Sequence, residues 1–565
     1  MSATISDVEE ERRLAGLRAT EALAEIPASR QLATGEMPVD REETLPGPVS
    51  QAFFFSDADL NLIMGPVGSG KTTTTVKSRI RRAVMMPRST IDGIRHYSLG
   101  TVRKTYRELW STTIPSYLET VPKALGSWSG GRGDPVTHVV EFEDNFGPIL
   151  WTTQFLAFGD DPTNAMRGLQ FTDMWLNEFD TNPEDILMLA VGRIARAPAL
   201  DHFRGYPPHL RSYGQIVGDM NAPAEDNWAY AFTQPEQLAR IERETNAALA
   251  DAAEAQGDPY KPVKFDFHRQ PGAREPGAEN LDNLGSTYYA RQVATMKAAG
   301  RGDMIERLID NRPTFLRVGD PVFRREFNPS IHVSARPIQA DPDLGLIIGL
   351  DQGFTPAAVI GQHLGPLQWV VLAELMFPKE HLFAKTFGER LADLLDRRFP
   401  SLEVHEAWGD LAGEAEGAQA EENATWNREV GKAAGFIIKP QVVGGNRINP
   451  RLEAVRAPLE HLHEGQPGLL IDPSCTYTRA GFQARYVWTE EVTPTGNKRK
   501  VPNKKYVEAN VMDALQYMLL SKHQGAVRGS YQPRASSSQR GRPPPPEPDA
   551  GSRWSTTDPY AEAWR

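Results

Sequence analysis

The run from Gly65 to Thr72 has the composition and spacing of a phosphate-binding loop. Its glycines allow successive backbone N–H groups to point at phosphate oxygens, and in such loops the lysine reaches the β- and γ-phosphates while the threonine hydroxyl binds Mg²⁺. An apolar strand pattern at Leu60–Met64 precedes the run and a helical pattern follows it, as the motif requires. The sequence therefore predicts a nucleoside triphosphate site at Gly65, Pro66, Val67, Gly68, Ser69, Gly70, Lys71 and Thr72.

Two further strand ends carry residues that suit triphosphate hydrolysis. Glu178 follows the apolar run Met174–Leu176 and is the candidate for orienting the attacking water, although a surface acid at a strand end is the alternative. Asn177 takes the position where an aspartate usually helps to hold Mg²⁺, and because an amide has no charge we expect weaker Mg²⁺ binding than usual. Asn221 follows a third strand and could sense the γ-phosphate, or could only form a turn.

Three aspartates of the C-terminal half suggest a second site. Asp351 follows the apolar strand pattern Leu346–Leu350, Asp410 follows a strand pattern at Glu403–Trp408, and Asp513 interrupts an apolar helix. Two strands and a helix lie between the first two aspartates, and a right-handed crossover would bring their strands side by side. An acid within an apolar helix needs compensation, and a divalent ion is one form of it. Each aspartate alone also fits a turn or a cap, but together they predict a two-metal phosphodiesterase on a ribonuclease H-like sheet.

Alternating strand and helix patterns predict an α/β fold: an N-terminal phosphate-loop NTPase parallel sheet with a helical lid, and a C-terminal ribonuclease H-like mixed sheet. The serine and proline runs near the C-terminus are typical of a disordered tail. The expected segments are an N-terminal arm (1–50), an ATPase core (51–235), a lid and linker (236–339), a nuclease domain (340–524) and a tail (525–565).

Composition excludes several classes of protein. The single cysteine, Cys475, rules out an internal disulfide and a cysteine-rich metal site. No apolar run is long enough to span a bilayer and the N-terminus has no signal-peptide pattern, so we expect a cytoplasmic protein without a membrane partner. The net charge of −11 does not favour indiscriminate nucleic-acid binding. Three basic stripes could still face a duplex or could be solvated surface: Lys77, Arg79, Arg81, Arg82 and Arg88; Arg103, Lys104 and Arg107; Lys498, Arg499, Lys500, Lys504 and Lys505.

A phosphate loop followed by a ribonuclease H-like nuclease resembles the large terminase subunit of tailed bacteriophages. The resemblance covers about 51–520, and its most specific motifs are Met64-Gly-Pro-Val-Gly-Ser-Gly-Lys-Thr72, Leu176-Asn-Glu-Phe179, Gly468-Leu-Leu-Ile-Asp-Pro473 and Asn510-Val-Met-Asp-Ala-Leu-Gln-Tyr517.

The resemblance implies roles for matching residues. Arg167 is similar to the arginine finger that reaches a neighbouring subunit's ATP site, with a helix-end salt bridge as the alternative. Gln51 and Phe53 resemble the adenine-side segment. Glu178 matches the catalytic glutamate and Asn221 the coupling motif, and the nuclease triad matches Asp351, Asp410 and Asp513.

The implied function is ATP-driven translocation of double-stranded DNA into a procapsid, with metal-dependent endonucleolytic cutting of concatemeric DNA. The implied cofactors are ATP with Mg²⁺ in the first site and Mg²⁺ or Mn²⁺, as two ions, in the second. The implied partners are DNA, a small terminase subunit, and the portal protein of the procapsid, on which the subunits form a homo-oligomeric ring in the host cytoplasm. The segment Lys498–Lys505 could grip DNA, so that changing Lys504 and Lys505 would weaken cutting and flatten its salt dependence.

Three other functions fit parts of the pattern. A nucleic-acid-stimulated ATPase or helicase would use the C-terminal half as a non-catalytic clamp. A nucleotide switch would lack hydrolysis, against which Glu178 argues. A transposase or integrase would share the nuclease fold but does not explain the phosphate loop.

Overall fold

The computed structural model describes residues 45–530, except 132–134, 207–213, 258–259, 354, 379, 415–424, 443–446 and 493–497. The predicted N-terminal arm therefore lies almost wholly outside the described residues, as does the predicted tail beyond Ser530. The α/β fold class is confirmed, with one large mixed sheet in each half of the chain.

The N-terminal sheet has eight strands in the order β3-β4-β5-β2-β6-β7-β1-β8. Strands β1, β6 and β7 are buried along their whole length, which is why their sequences are continuous apolar runs. The six neighbouring strands β5, β2, β6, β7, β1 and β8 are parallel to one another. Strand β4 pairs antiparallel with both β3 and β5. The strands are β1 Leu60–Met64, β2 Arg95–Arg103, β3 Gly126–Ser129, β4 Val136–Asp144, β5 Gly147–Ala157, β6 Asp173–Asn177, β7 Ile216–Met220 and β8 Phe265–Arg269.

Helices cover both faces of this sheet. The helix that follows the phosphate loop, Lys71–Val84, begins immediately after Gly70 and is buried along most of its length. The other α-helices of this half are Pro48–Phe55, Tyr106–Glu108, Ile114–Thr120, Pro162–Ala165, Glu184–Val191, Pro235–Gln256, Tyr288–Ala298 and Gly302–Leu308. The short helix Pro329–His332 packs on the C-terminal half, where the His332 ring contacts the carbonyl oxygen of Leu459.

The C-terminal sheet has the order β13-β12-β9-β10-β11-β16. Strands β9, β10 and β11 form an antiparallel meander, and β12 returns parallel to β9 on the other side, as the sequence predicted. The strands are β9 Leu346–Asp351, β10 Ala357–Gly365, β11 Gln368–Met376, β12 Val404–Gly409, β13 Ile438–Pro440 and β16 Leu469–Ile471. Two small hairpins are β14 Leu462–His463 with β15 Gln466–Pro467, and β17 Trp488–Val492 with β18 Lys498–Pro502. The α-helices are Ala384–Arg398, Trp426–Ala434, Ile448–Leu459, Thr476–Ala480 and Glu508–Ser530.

The expected lid and linker, 236–339, is divided between the two sheets. Strand β8 extends the N-terminal sheet by pairing parallel with β1, so a boundary at residue 235 cuts through a continuous sheet. Phe323 and Phe327 pack in the core of the C-terminal half, before the expected boundary at residue 340. The sequence did not predict β8 or the core position of Phe323 and Phe327, because edge strands and short core segments have little periodicity of their own.

Two ion pairs connect the halves. Arg479 contacts Glu225 at 2.5 Å and Arg485 contacts Asp226 at 2.6 Å. Both acids lie in the segment that follows β7, so this segment lies between the phosphate loop and the second domain.

The structure corrects the first basic stripe. Arg79 and Arg82 are buried and both bind Asp173, and Arg81 is buried against Asp57. Buried charges need partners inside the protein, so these three arginines do not form a DNA-binding surface. Lys77 is half-buried and Arg88 is exposed. Within the described ranges, no helix is long and apolar enough to cross a membrane.

Two candidate active sites

The phosphate loop has the backbone conformation that its glycines allow. Gly68 and Gly70 have φ angles of 79° and 80°, a left-handed region that disfavours other residues. A Cβ atom on Gly65 would lie 1.7 Å from the Oε1 atom of Gln270, a buried side chain fixed by Ser69 at 2.6 Å. Gly65 is therefore packed too closely against Gln270 to carry a side chain.

Residues from the expected lid hold this loop from outside. Asn280 donates to the carbonyl oxygen of Gly68 at 2.7 Å, and the Tyr289 hydroxyl donates to that of Val67 at 2.8 Å. Side chains of the expected lid therefore fix the backbone of the loop at two of its carbonyl groups.

Lys71 and Thr72 belong to the phosphate loop, and Asn221 from the segment after β7 lies beside them. The Lys71 ammonium donates to the Asn221 Oδ1 atom at 2.9 Å. The Thr72 hydroxyl donates to the Oδ2 atom of Asp219 at 2.6 Å. Asp219 lies at the end of β7 and was not among the candidates from sequence.

Asn177 does not present its oxygen to the phosphate loop. Its Oδ1 atom accepts a hydrogen bond from the Thr113 hydroxyl at 2.6 Å, and its Nδ2 atom donates to both carboxylate oxygens of Asp219 at 3.1 Å. The atom that could bind a metal is thus turned toward Thr113. The expectation that Asn177 is itself a metal ligand does not fit this geometry.

Glu178 lies at the end of β6 in the left-handed region, with φ 50° and ψ 60°. A non-glycine residue in this conformation stores strain that surrounding contacts must hold, a frequent property of functional positions. Burial raises the pKa of Glu178; the positive charge of Lys71 lowers it and the negative charge of Asp219 raises it. The carboxyl group therefore lies in the electrostatic field of the loop lysine.

Arg103, at the end of β2, is a further cation near Glu178, whose pKa it lowers. Its side chain is buried, and its Nε and Nη1 atoms have no hydrogen-bond partner among the described residues. Buried donors without partners are costly, so they fit an anionic ligand such as a triphosphate. The sequence presented this residue only as part of a basic stripe.

Arg167 and Gln51 are both exposed. Arg167 follows the short helix Pro162–Ala165, and no side-chain ion pair forms with it among the residues that the structure describes. Gln51 lies on the helix Pro48–Phe55. Phe53, on the same helix, is fully buried in the core and packs edge-on against the His268 ring.

The second site brings Asp351, Asp410 and Asp513 together. Gly409 pairs with Leu350 in the parallel β12 and β9 strands, so Asp410 and Asp351 leave the sheet side by side. Burial raises the pKa of Asp351 well above its usual range, and the charges of Asp513 and Asp410 add to this effect. Clustered carboxylates that disfavour each other's ionisation fit hard divalent cations, which prefer oxygen ligands.

A glycine allows the third aspartate to reach the sheet. A Cβ atom on Gly349 would lie 1.9 Å from the carbonyl oxygen of Ala514, so the helix Glu508–Ser530 packs directly on β9. Asp513 precedes Ala514 on this helix, and the contact holds it above the end of the strand.

Two cations contact Asp513. The Arg451 guanidinium lies 2.8 Å from its Oδ1 atom, and the Lys504 ammonium contacts its Oδ2 atom. Sequence reasoning missed Arg451, on the helix Ile448–Leu459, because nothing local links it to the triad. Lys504 follows strand β18, and its ammonium group points toward the acidic site.

Fold and sites together define a class of protein: a phosphate-loop α/β domain joined to a domain of ribonuclease H-like topology that carries an acidic cluster. No family model matches the chain, and no curated protein does. Several solved structures are similar. The large terminase of a thermophilic bacteriophage has 14% identity and a TM-score of 0.33, over 84% of this chain and 98% of that one.

Separate domains match each half. The Thermus phage P74-26 large terminase ATPase domain has 13% identity and a TM-score of 0.28, over 47% of this chain and 93% of that one. The P22 large terminase nuclease domain has 12% identity and a TM-score of 0.25, over 36% of this chain and 95% of that one.

Proposed function

We propose that this chain is the large subunit of a phage terminase. It hydrolyses ATP to move double-stranded DNA into a procapsid and cuts concatemeric DNA with a metal-dependent endonuclease. The observation that carries the proposal is the presence in one chain of a phosphate loop with Glu178 beside Lys71 and of a separate triad of aspartates.

In the nucleotide site, Lys71 binds the β- and γ-phosphates and Glu178 orients the attacking water. Asn221, which holds the Lys71 ammonium, is placed to respond when the γ-phosphate leaves. Arg167 is exposed and suits insertion into the ATP site of a neighbouring subunit in a ring on the portal. Bound Mg²⁺ would neutralise charge that develops on the phosphates.

In the nuclease site, Asp351, Asp410 and Asp513 would hold two Mg²⁺ or Mn²⁺ ions, which supply an activated water and stabilise the leaving oxygen. Asp351 and Asp410 lie at the ends of β9 and β12, and Asp513 lies on the helix over them. Double-stranded DNA is the proposed substrate, and a small terminase subunit and the portal are the proposed partners in the host cytoplasm.

The ion pairs of Asp513 favour an alternative. Arg451 and Lys504 already compensate this carboxylate, as they would in a non-catalytic clamp of a nucleic-acid-stimulated ATPase. Mn²⁺-dependent plasmid cleavage by the full chain, lost in Asp351→Ala, would exclude this alternative.

The decisive experiment measures ATPase and nuclease activity of Lys71→Ala and Asp351→Ala side by side. We expect each variant to lose one activity by about 100-fold or more and to retain the other. Lys104→Ala and Asp343→Ala, which change exposed residues of the same types, are the controls. Wild-type protein without Mn²⁺-dependent cleavage, or a single activity lost in both variants, would contradict the proposal of two independent sites.

A further inference from the structure

Asp219 is a buried acid that the roles described so far do not use. It is fully buried at the end of β7, the strand between β6 and the phosphate-loop strand β1. The register places it directly beside Asn177 on one side and Ile63 on the other. An acid at this position therefore reaches the phosphate loop from the neighbouring strand.

The partners of Asp219 are all neutral donors. Its Oδ1 atom accepts from the Trp175 indole at 2.6 Å, both oxygens accept from the Asn177 amide, and Oδ2 accepts from the Thr72 hydroxyl. Within the described part of the chain no cationic side chain forms an ion pair with it, because Lys71 donates instead to Asn221 and Pro66.

Asp173 shows how the same sheet treats a buried acid that is only structural. It is equally buried, at the first position of β6. Ion pairs to Arg79 at 2.9 Å and to Arg82 at 2.7 Å neutralise its charge. A buried carboxylate without such compensation is costly. The contrast indicates that the charge of Asp219 is compensated by a ligand.

Resting on the proposed ATPase function, we propose that Asp219 supplies the carboxylate of the nucleotide-site Mg²⁺, a role for which Asn177 lacks the charge. Thr72 is the hydroxyl that such loops offer to Mg²⁺, and Asp219 lies at hydrogen-bond distance from it. Mg²⁺ takes six oxygen ligands and usually keeps several waters, so Asp219 can bind it directly or through one water.

Asn177 and Trp175 then act as positioning residues. Their N–H groups hold Asp219 in one orientation, with Oδ2 directed at Thr72. An aspartate at position 177 would place its carboxylate at hydrogen-bond distance from that of Asp219, with no donor between them. The amide of Asn177 avoids this repulsion because it donates to Asp219. Strand β6 thus carries the amide, Asn177, and strand β7 carries the acid, Asp219.

The test follows Mg²⁺ rather than turnover. The full-length protein is titrated with a fluorescent, non-hydrolysable ATP analogue, first in EDTA and then with increasing Mg²⁺. In Asp219→Asn we expect analogue affinity in EDTA within twofold of wild type, and a half-saturating Mg²⁺ concentration at least tenfold higher. Asp160→Asn, an exposed acid of the same domain, is the control and should match wild type.

A second variant covers the case in which Asp219→Asn does not fold. In Asp219→Cys, a thiolate replaces the oxygen ligand, so Mg²⁺ should tighten analogue binding less than Cd²⁺ does, a preference absent from wild type. An unchanged Mg²⁺ half-saturation in Asp219→Asn, or no Cd²⁺ preference in Asp219→Cys, overturns the inference. Wild type that does not bind the analogue would instead contradict the proposed function.

Discussion

The two candidate sites are assembled in opposite ways. The phosphate loop is one continuous segment, and its lysine and threonine follow its last glycine directly. The nuclease candidates come from positions 351, 410 and 513, and meet only because β12 pairs with β9 and a helix packs over both. A contiguous site depends on local backbone conformation, whereas a dispersed one depends on long-range packing.

Charge compensation differs as well. In the nuclease site, the cationic side chains of Arg451 and Lys504 contact Asp513. In the nucleotide site, the hydrogen-bond partners of Asp219 among the described residues are all neutral. We therefore expect a metal ion to compete with Arg451 and Lys504 in the nuclease site. In the nucleotide site we expect it to compensate the charge of Asp219.

The largest effect is expected in the nucleotide site. Glu178→Gln keeps the shape of the side chain but cannot accept a proton or orient water as a carboxylate does, so ATP hydrolysis should fall by roughly 100-fold or more. Nucleotide binding and DNA cleavage should be retained. Glu184→Gln, an exposed glutamate nearby, serves as the control. Hydrolysis that survives in Glu178→Gln would assign the water-orienting role to another residue.

A backbone contact tests the dispersed site. Gly349→Ala places a Cβ atom against the carbonyl oxygen of Ala514, so the helix that carries Asp513 must shift. We expect a loss of about 1–3 kcal/mol in stability, seen in thermal unfolding, together with reduced cleavage and intact nucleotide binding. Gly302→Ala, where an added Cβ meets no atom within 4 Å, is the control. Normal cleavage and an unchanged melting temperature would show that this contact does not position the triad.

The smallest expected effect concerns Lys504. Removing its ammonium in Lys504→Ala frees one oxygen of Asp513, so the metal concentration for half-maximal cleavage should fall by up to about fivefold, as suits a partly exposed ion pair. Lys505→Ala, exposed and adjacent, should leave it unchanged. If both variants instead weaken cleavage and flatten its salt dependence, the hairpin acts on DNA and does not compete with metal.

Sequence reasoning succeeded where a motif is local or a strand is strongly apolar. The phosphate loop, the strand Leu60–Met64 and the meander before Asp410 needed only spacing and periodicity. It failed for β8, whose residues are only half-buried at a sheet edge, and for the buried arginines Arg79 and Arg82, whose partner Asp173 is about ninety residues away.

By itself, the amino-acid sequence determined that this chain has a phosphate loop, an acid after a buried strand and three aspartates in a β-β-β-α-β order. Only the tertiary structure decided which side chain of the neighbouring strands stands beside Thr72. The choice between Asn177 and Asp219 depends on which strand lies next to β1 and in which register. Strand order and register arise from contacts between distant segments, and no local pattern records them.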